Sequence, residues 1–301
     1  MPGEQSREGW ANTSLFASLV ENFDWVLRGP IDQNMDCEKC QPYANGKPRT
    51  HGVDAIFTFT CPYTRRTRAV IVDGKRYTFK SVGGPATIKS WLNDSTKTAL
   101  HARDSINSLS AQRNLPNDTL IDTVMVVWDC HEGWDQAKSK EWIKGIRLGH
   151  TPVPALSVFL STKEHLGRLQ TLSQFRHTVH SLEFLYSPEK MPIWSKTLTP
   201  ELLHSSILLI RYQKSDSQNK IMGVLYFDTE TPSRIRFLVK YLGYAGLLTH
   251  DNITIHVQCP QNELEHFENY FSTEFASIEN LHGIGISKFK FEKIVRAPFE
   301  S

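Results

Sequence analysis

Residues 51–80, HGVDAIFTFTCPYTRRTRAVIVDGKRYTFK, constrain this chain more than any other stretch. Two apolar runs, Val53 to Phe59 and Ala69 to Val72, flank a polar link that holds Pro62. Runs rich in β-branched and aromatic residues around such a link predict a β-hairpin. Each run carries a carboxylate, Asp54 near the start of the first and Asp73 at the end of the second. With the turn centred near Tyr63 and Thr64, antiparallel pairing sets Asp54 opposite Asp73. Opposed residues have Cβ atoms about 5 Å apart, and like charges there repel. Two acids so placed are best tolerated when a divalent cation sits between them. Lys75 follows Asp73 by two residues and shares its face at period two. Two carboxylates and an ammonium at one sheet edge suit Mg²⁺ and a phosphodiester.

A second reading competes for the same residues. Asp73-Gly74 is also a strong two-residue hairpin turn. Val70-Ile71-Val72 and Arg76-Tyr77-Thr78-Phe79 would then pair with each other, leaving Asp73 as a turn residue and Lys75 in solvent.

The pattern Gly52-Val53-Asp54-Ala55-Ile56, then Val70-Ile71-Val72-Asp73-Gly74-Lys75, resembles the PD-(D/E)XK nuclease superfamily. The tail Lys75-Arg76-Tyr77 is similar to the modification-dependent restriction enzymes within it. The resemblance implies an α/β fold: a restriction-endonuclease-like mixed sheet core, here with a second, smaller α+β domain. It implies a metal-dependent endonuclease with Asp54, Asp73, Lys75 and Glu21 as catalytic residues. Asp54, Asp73 and Glu21 would hold Mg²⁺, with Mn²⁺ as the alternative ion. It places Glu21 on the first helix, with Asp24 as the next candidate, and it expects a strand between that helix and the Asp54 strand. No segment of residues 30–50 reads as that strand. The implied setting is restriction or anti-phage defence, and the implied company is nucleic acid, a homodimer or a partner protein of a defence system. The alternative is a non-catalytic nucleic-acid-binding or assembly subunit that keeps the nuclease-like fold.

Residues 13–28 carry Leu15, Phe16, Leu19, Val20, Phe23, Val26 and Leu27, the stripe of an amphipathic helix stopped by Gly29-Pro30. Residues 86–110 read as one or two helices. Leu120 to Trp128 is a strand apolar on both faces, Trp134 to Leu148 a short helix, and Pro154 to Leu160 a further buried strand. We place a nuclease-like domain at 1–180 and an α+β domain at 190–301, linked around Tyr186 to Pro192. The second domain reads strand (207–212), strand (221–227), helix (232–242), strand (253–257), helix (262–275) and strand (286–294). It carries no catalytic motif and would recognise substrate, dimerise or dock a partner.

The net charge is only +2. Between Lys39 and Arg103, however, twelve basic residues face three acids. A local basic field of this kind suits a phosphate backbone, with Arg65, Arg66, Arg68 and Arg76 as contacts. No apolar run reaches the ~18 residues of a membrane span, and no signal peptide opens the chain, so the expectation is a cytoplasmic protein with no membrane partner. Five cysteines, an odd number, fit a reducing compartment. Cys37-x-x-Cys40 with His51 and Cys61 has the residue types of a zinc site. The second ligand pair has no canonical spacing, and a strand would hold His51 and Cys61 ~30 Å apart. A structural Zn²⁺ at Cys37 and Cys40 is therefore disfavoured. Cys130-His131 is no nucleophile pair, because adjacent residues of an extended chain point apart.

Overall fold

The computed structural model describes residues 2–37, 40–41, 46, 49–148, 156–186, 192–228, 231–250, 252–259, 263–278 and 286–294. Residues 187–191, at the centre of the expected domain link, lie outside this set, as do Lys39 and Lys47. The chain divides into two compact units, Met1–Leu166 and Gly167–Glu300. Among the described residues no helix is long and apolar enough to cross a membrane.

The first unit opens with α1 (Pro2–Val20), which passes into a 3-10 turn (Glu21–Phe23). Asp24 then takes a left-handed conformation, φ 62°, and ends the helical run. The helix expected to reach residue 28 therefore stops short, and Val26–Leu27 forms β1. β1 pairs antiparallel with β4 (Ala55–Thr60) and supplies the strand that the sequence concealed. Its two apolar residues fall on the helical stripe, so periodicity alone extends the helix over them. Between these strands lies a separate small hairpin, β2 (Met35–Cys37) with β3 (Arg49–His51).

β5 (Thr67–Arg76) is the central strand of a five-stranded sheet ordered β1-β4-β5-β6-β7, with β6 at Leu120–Asp129 and β7 at Ser157–Ser161. β4 pairs antiparallel to β5, while β6 and β7 run parallel to it. β5 and most of β6 are buried on both faces, as their continuous apolar runs require. β7 is an edge strand and mostly half-buried, less enclosed than its sequence suggests. After a short helix α2 (Phe79–Val82), Gly83 and Gly84 take φ 70° and 155°, and Pro85 starts α3 (Pro85–Asp104). α4 (Ile106–Arg113) and α5 (Gln136–Gly145) complete the unit, and Asp135 caps α5 by accepting from the Lys138 N–H at 2.9 Å.

Alternation along the strands assigns the two faces. Phe16 of α1 meets Phe57 edge-on, with centroids 5.9 Å apart. Ile56, Ile71 and Val124 pack instead with Ala99 and Ala102 of α3. Burying each such large side chain contributes about 1.5–3 kcal/mol. Asp54, Asp73 and Lys75 have the parity of the α3 face.

The small hairpin packs against α3 and brings Cys37 and Cys40 to His51 and His101. The sequence reading had grouped the two cysteines with His51 and Cys61 and disfavoured a metal there. Cys61 lies past the far end of β4, and the fourth group is His101 of α3. All five cysteines are free of disulfides.

The second unit contains most of α6 (Lys163–Thr178) and a six-stranded sheet ordered β13-β12-β11-β10-β8-β9. Its strands are β8 (Val179–Tyr186), β9 (Ile193–Ser195), β10 (Ile207–Lys214), β11 (Lys220–Tyr226), β12 (Ile253–Val257) and β13 (Phe289–Lys293). β8 and β9 were not anticipated; the others fall where the apolar runs place them. Besides the short α7 (Pro200–Leu203), α8 (Pro232–Tyr244) and α9 (Leu264–Ala276) cover one face, where Phe267, Phe271 and Phe275 are buried. Gly223 in β11 leaves room for the Tyr212 ring, whose edge would lie 3.1 Å from a Cβ there.

On the other face His256 is buried beside the Tyr212 hydroxyl at 3.2 Å, with its Nδ1 3.4 Å from Glu292 Oε2. Burial lowers its pKa to about 4, outweighing the carboxylate's attraction. Below its ordinary value of 6.5 the unfolded chain therefore takes up a proton that the folded one refuses. Stability should fall as pH drops from about 6.5 to about 4, by up to about 3 kcal/mol. A His256→Gln variant is expected to lose most of that slope in urea melts across this range. An unchanged slope would show that other groups cause it.

Candidate active site

β5 carries the site because it runs unbroken through Asp73-Gly74. Its pairing with β6 includes Asp73↔Val126, Gly74↔Val127 and Lys75↔Trp128. The tight-turn reading of Asp73-Gly74 is thereby excluded. Register with β4, Ala55↔Val72, sets Asp54 across from Asp73 just outside the ladder.

The three side chains converge. Asp54 Oδ2 accepts from the Gly74 N–H at 2.6 Å. Asp73 Oδ1 lies 2.5 Å from Lys75 Nζ, and its Oδ2 accepts from the Ser95 hydroxyl at 2.5 Å. Ser95 belongs to α3 and was not singled out in the sequence; a serine inside a helix gives no local signal. Burial raises the Asp54 pKa to about 6, and the Asp73 and Asp32 charges push the same way. The Gly74 N–H and Lys75 oppose the shift. Asp32, also missed, has φ 57° in the loop after β1 and donates its backbone N–H to the Asp54 carbonyl at 2.7 Å.

A buried cation holds that loop. Arg113 of α4 is 1% exposed and donates to the carbonyls of Pro30 and Gln33. A Cβ at Gly29, φ 71°, would lie 2.7 Å from Arg113 Cδ, so glycine is required there on both counts.

Glu21 is not brought to this cluster. It is exposed in the 3-10 turn, and no hydrogen bond or ion pair joins it to Asp54, Asp73 or Lys75. Asn12 of α1 instead reaches the level of the site, donating to the carbonyls of Val127 at 2.8 Å and Lys75 at 3.4 Å. Glu21 lies roughly 13 Å further along the helical path at 1.5 Å per residue. Asp24 follows the same turn.

The arginines divide differently from expectation. Arg65 and Arg66 are exposed at the β4–β5 turn, and Arg68 pairs with Asp122 at 2.8 Å. Arg68 is already roughly 17 Å along β5 from Asp73. These three therefore lie at the opposite end of the sheet. Arg76 is at the site end but faces the buried Asp129 at 3.5 Å. Asp129 closes β6, and Cys130 beside it is buried with its thiol directed at the Glu132 carbonyl at 3.1 Å. Burial pushes that thiol's pKa up, away from a nucleophile's.

Two opposed carboxylates, a lysine two residues on in the same strand and a mixed sheet form one recognisable arrangement. A family model described as "GAPS4 protein PD-(D/E)XK nuclease domain" matches residues 1–157. The chain belongs to this family. No curated protein matches the sequence closely enough to count as a relative. The match covers four strands of the five-stranded sheet and every residue of the converging cluster, and it ends at the first residue of β7. The restriction-endonuclease-like core expected from the motif is present.

In cation-free protein the Asp54 charge is a burden. A carboxylate with a raised pKa destabilises the fold above its unfolded value of 3.8, fully so above about 6. Two units correspond to about 3 kcal/mol, reduced to about 1–2 by partial solvent access. Asp54→Asn is expected to gain that stability at pH 7 in EDTA and to match wild type near pH 4. Denaturant titrations at both pH values check this; a less stable variant at pH 7 would mean that the Gly74 bond dominates.

Proposed function

We propose that the protein is a metal-dependent endonuclease that hydrolyses phosphodiester bonds in nucleic acid. The observation carrying this reading is the convergence of Asp54, Asp73 and Lys75 at the end of β4 and β5. Asp54 and Asp73, whose charges raise each other's cost, fit a hard divalent cation such as Mg²⁺ or Mn²⁺. Such an ion, when bound, lowers the pKa of a coordinated water and stabilises charge on the phosphate. Ser95 fixes the orientation of Asp73. Lys75 supplies an ammonium on the same face, where charge develops on a phosphate oxygen. Asp32 adds negative potential beside Asp54 and strengthens cation binding.

The similarity of the Lys75-Arg76-Tyr77 tail to modification-dependent restriction enzymes supports restriction or anti-phage defence as the setting. For the second unit we propose substrate recognition, dimerisation or docking of a partner protein.

The test is cleavage by the full chain of plasmid DNA, single-stranded DNA and total RNA with Mg²⁺, Mn²⁺ or EDTA. Wild type is expected to cut one of these only with a divalent ion. Asp73→Ala and Lys75→Ala should each slow cutting by about 100-fold or more. Equal cutting by Asp73→Ala would remove the site assignment. No cutting of any substrate with either ion would favour a non-catalytic binding protein.

A further inference from the structure

We propose that Cys37, Cys40, His51 and His101 bind one structural Zn²⁺ that clamps the β2–β3 hairpin to α3. Each residue offers one ligand atom, and the four atoms lie within 4.8 Å of one another. Cys37 Sγ is 3.4 Å from His101 Nδ1, and Cys40 Sγ is 3.4 Å from His51 Nε2 and 3.7 Å from His101 Nδ1. Bond lengths of about 2.3 Å to sulfur and about 2.1 Å to nitrogen place tetrahedral ligand atoms about 3.4–3.8 Å apart. The three sulfur–nitrogen separations already fall in that range.

Hydrogen bonds can join Cys37 to His101 and Cys40 to His51 in pairs, but they do not call for all four groups to meet. The Cys40 thiol has one proton, yet two imidazole nitrogens face its sulfur. His101 Nδ1 in turn faces two sulfurs. The two imidazoles lie face to face, with centroids 4.2 Å apart and planes 18° apart, so a tilt of one ring brings both in-plane lone pairs onto a shared ion. A single cation satisfies all four groups at once. Two thiolates and two imidazoles in a tetrahedral set select zinc, whereas the oxygen-only cluster at Asp54 and Asp73 selects a harder ion. The two sites therefore take different metals by ligand chemistry.

The placement gives the ion a role. β2 and β3 have three residues each, and a two-stranded hairpin of that size is marginal alone. His51 ends β3 and lies three positions before Asp54. His101 lies less than about two helical turns beyond Ser95, which orients Asp73. One zinc thus ties together the segments that set both carboxylates.

Elemental analysis of the full chain, purified without added metal and dialysed against EDTA, tests the proposal. The expected result is about one zinc per chain. Cys40→Ser and His101→Ala should each lower this at least fivefold, while Cys61→Ser keeps it. Because ligand variants can misfold, wild type is also treated with a mercurial that releases thiolate-bound zinc. Release of about one zinc, together with a lower melting temperature, supports the site. Cobalt exchanged into wild type should show thiolate charge-transfer and tetrahedral ligand-field bands. Zinc-free wild type whose melting is indifferent to the mercurial, or a Cys37–Cys40 disulfide in the purified protein, would overturn it.

Discussion

The structure depends on the pairing of β5 with β4 over Thr67–Val72 and with β6 over Arg68–Arg76. The antiparallel ladder with β4 fixes which residues oppose, and the parallel ladder with β6 keeps Asp73-Gly74 extended. A turn at Gly74 would send Lys75 and Asp73 to different surroundings and dissolve the cluster. The energetic reason for continuity lies in Val70, Ile71 and Val72, which are buried on both faces and cannot leave the sheet without exposing them. Side-chain alternation then does the rest, directing Asp73 and Lys75 toward α3 and its Ser95.

Much of this arrangement was legible in the sequence because it is local. A polar link between two apolar runs fixes the hairpin, and its centre fixes the register, so the opposition of Asp54 and Asp73 follows from counting. The sequence left open whether Asp-Gly turns or continues, since both answers satisfy local propensity; β6, some fifty residues away, decides it. The helix over 13–28 was read too long because Val26 and Leu27 match a helical stripe by accident of spacing. Ser95, Asp32 and His101 were invisible for a common reason. Each acts through a neighbour brought close only by packing, and none sits in a motif.

Electrostatics divides the sheet into two ends. The basic stretch of the sequence does not form one field around the carboxylates. Arg68 is neutralised by Asp122 and Arg76 faces Asp129, both acids lying outside the stretch where the excess was counted. Linear charge counts miss such pairs because β6 lies beside β5 in space only. The carboxylate end is consequently more anionic than the sequence suggests.

The loop held by Arg113 carries this logic beyond the motif. Its guanidinium is buried, bonded to backbone carbonyls and packed where any side chain at Gly29 would intrude. Asp32 is held beside Asp54 by its own N–H bond and, through the loop, by that anchor, although Arg113 is hydrogen-bonded to neither carboxylate. Lineages that keep Asp54, Asp73 and Lys75 but replace Arg113 would pass any motif-based inventory as intact nucleases. Their loop would lose that anchor, and with it one support for Asp32 beside Asp54. The Gly29–Arg113 pair thus belongs to what shapes the pocket, although no motif contains it.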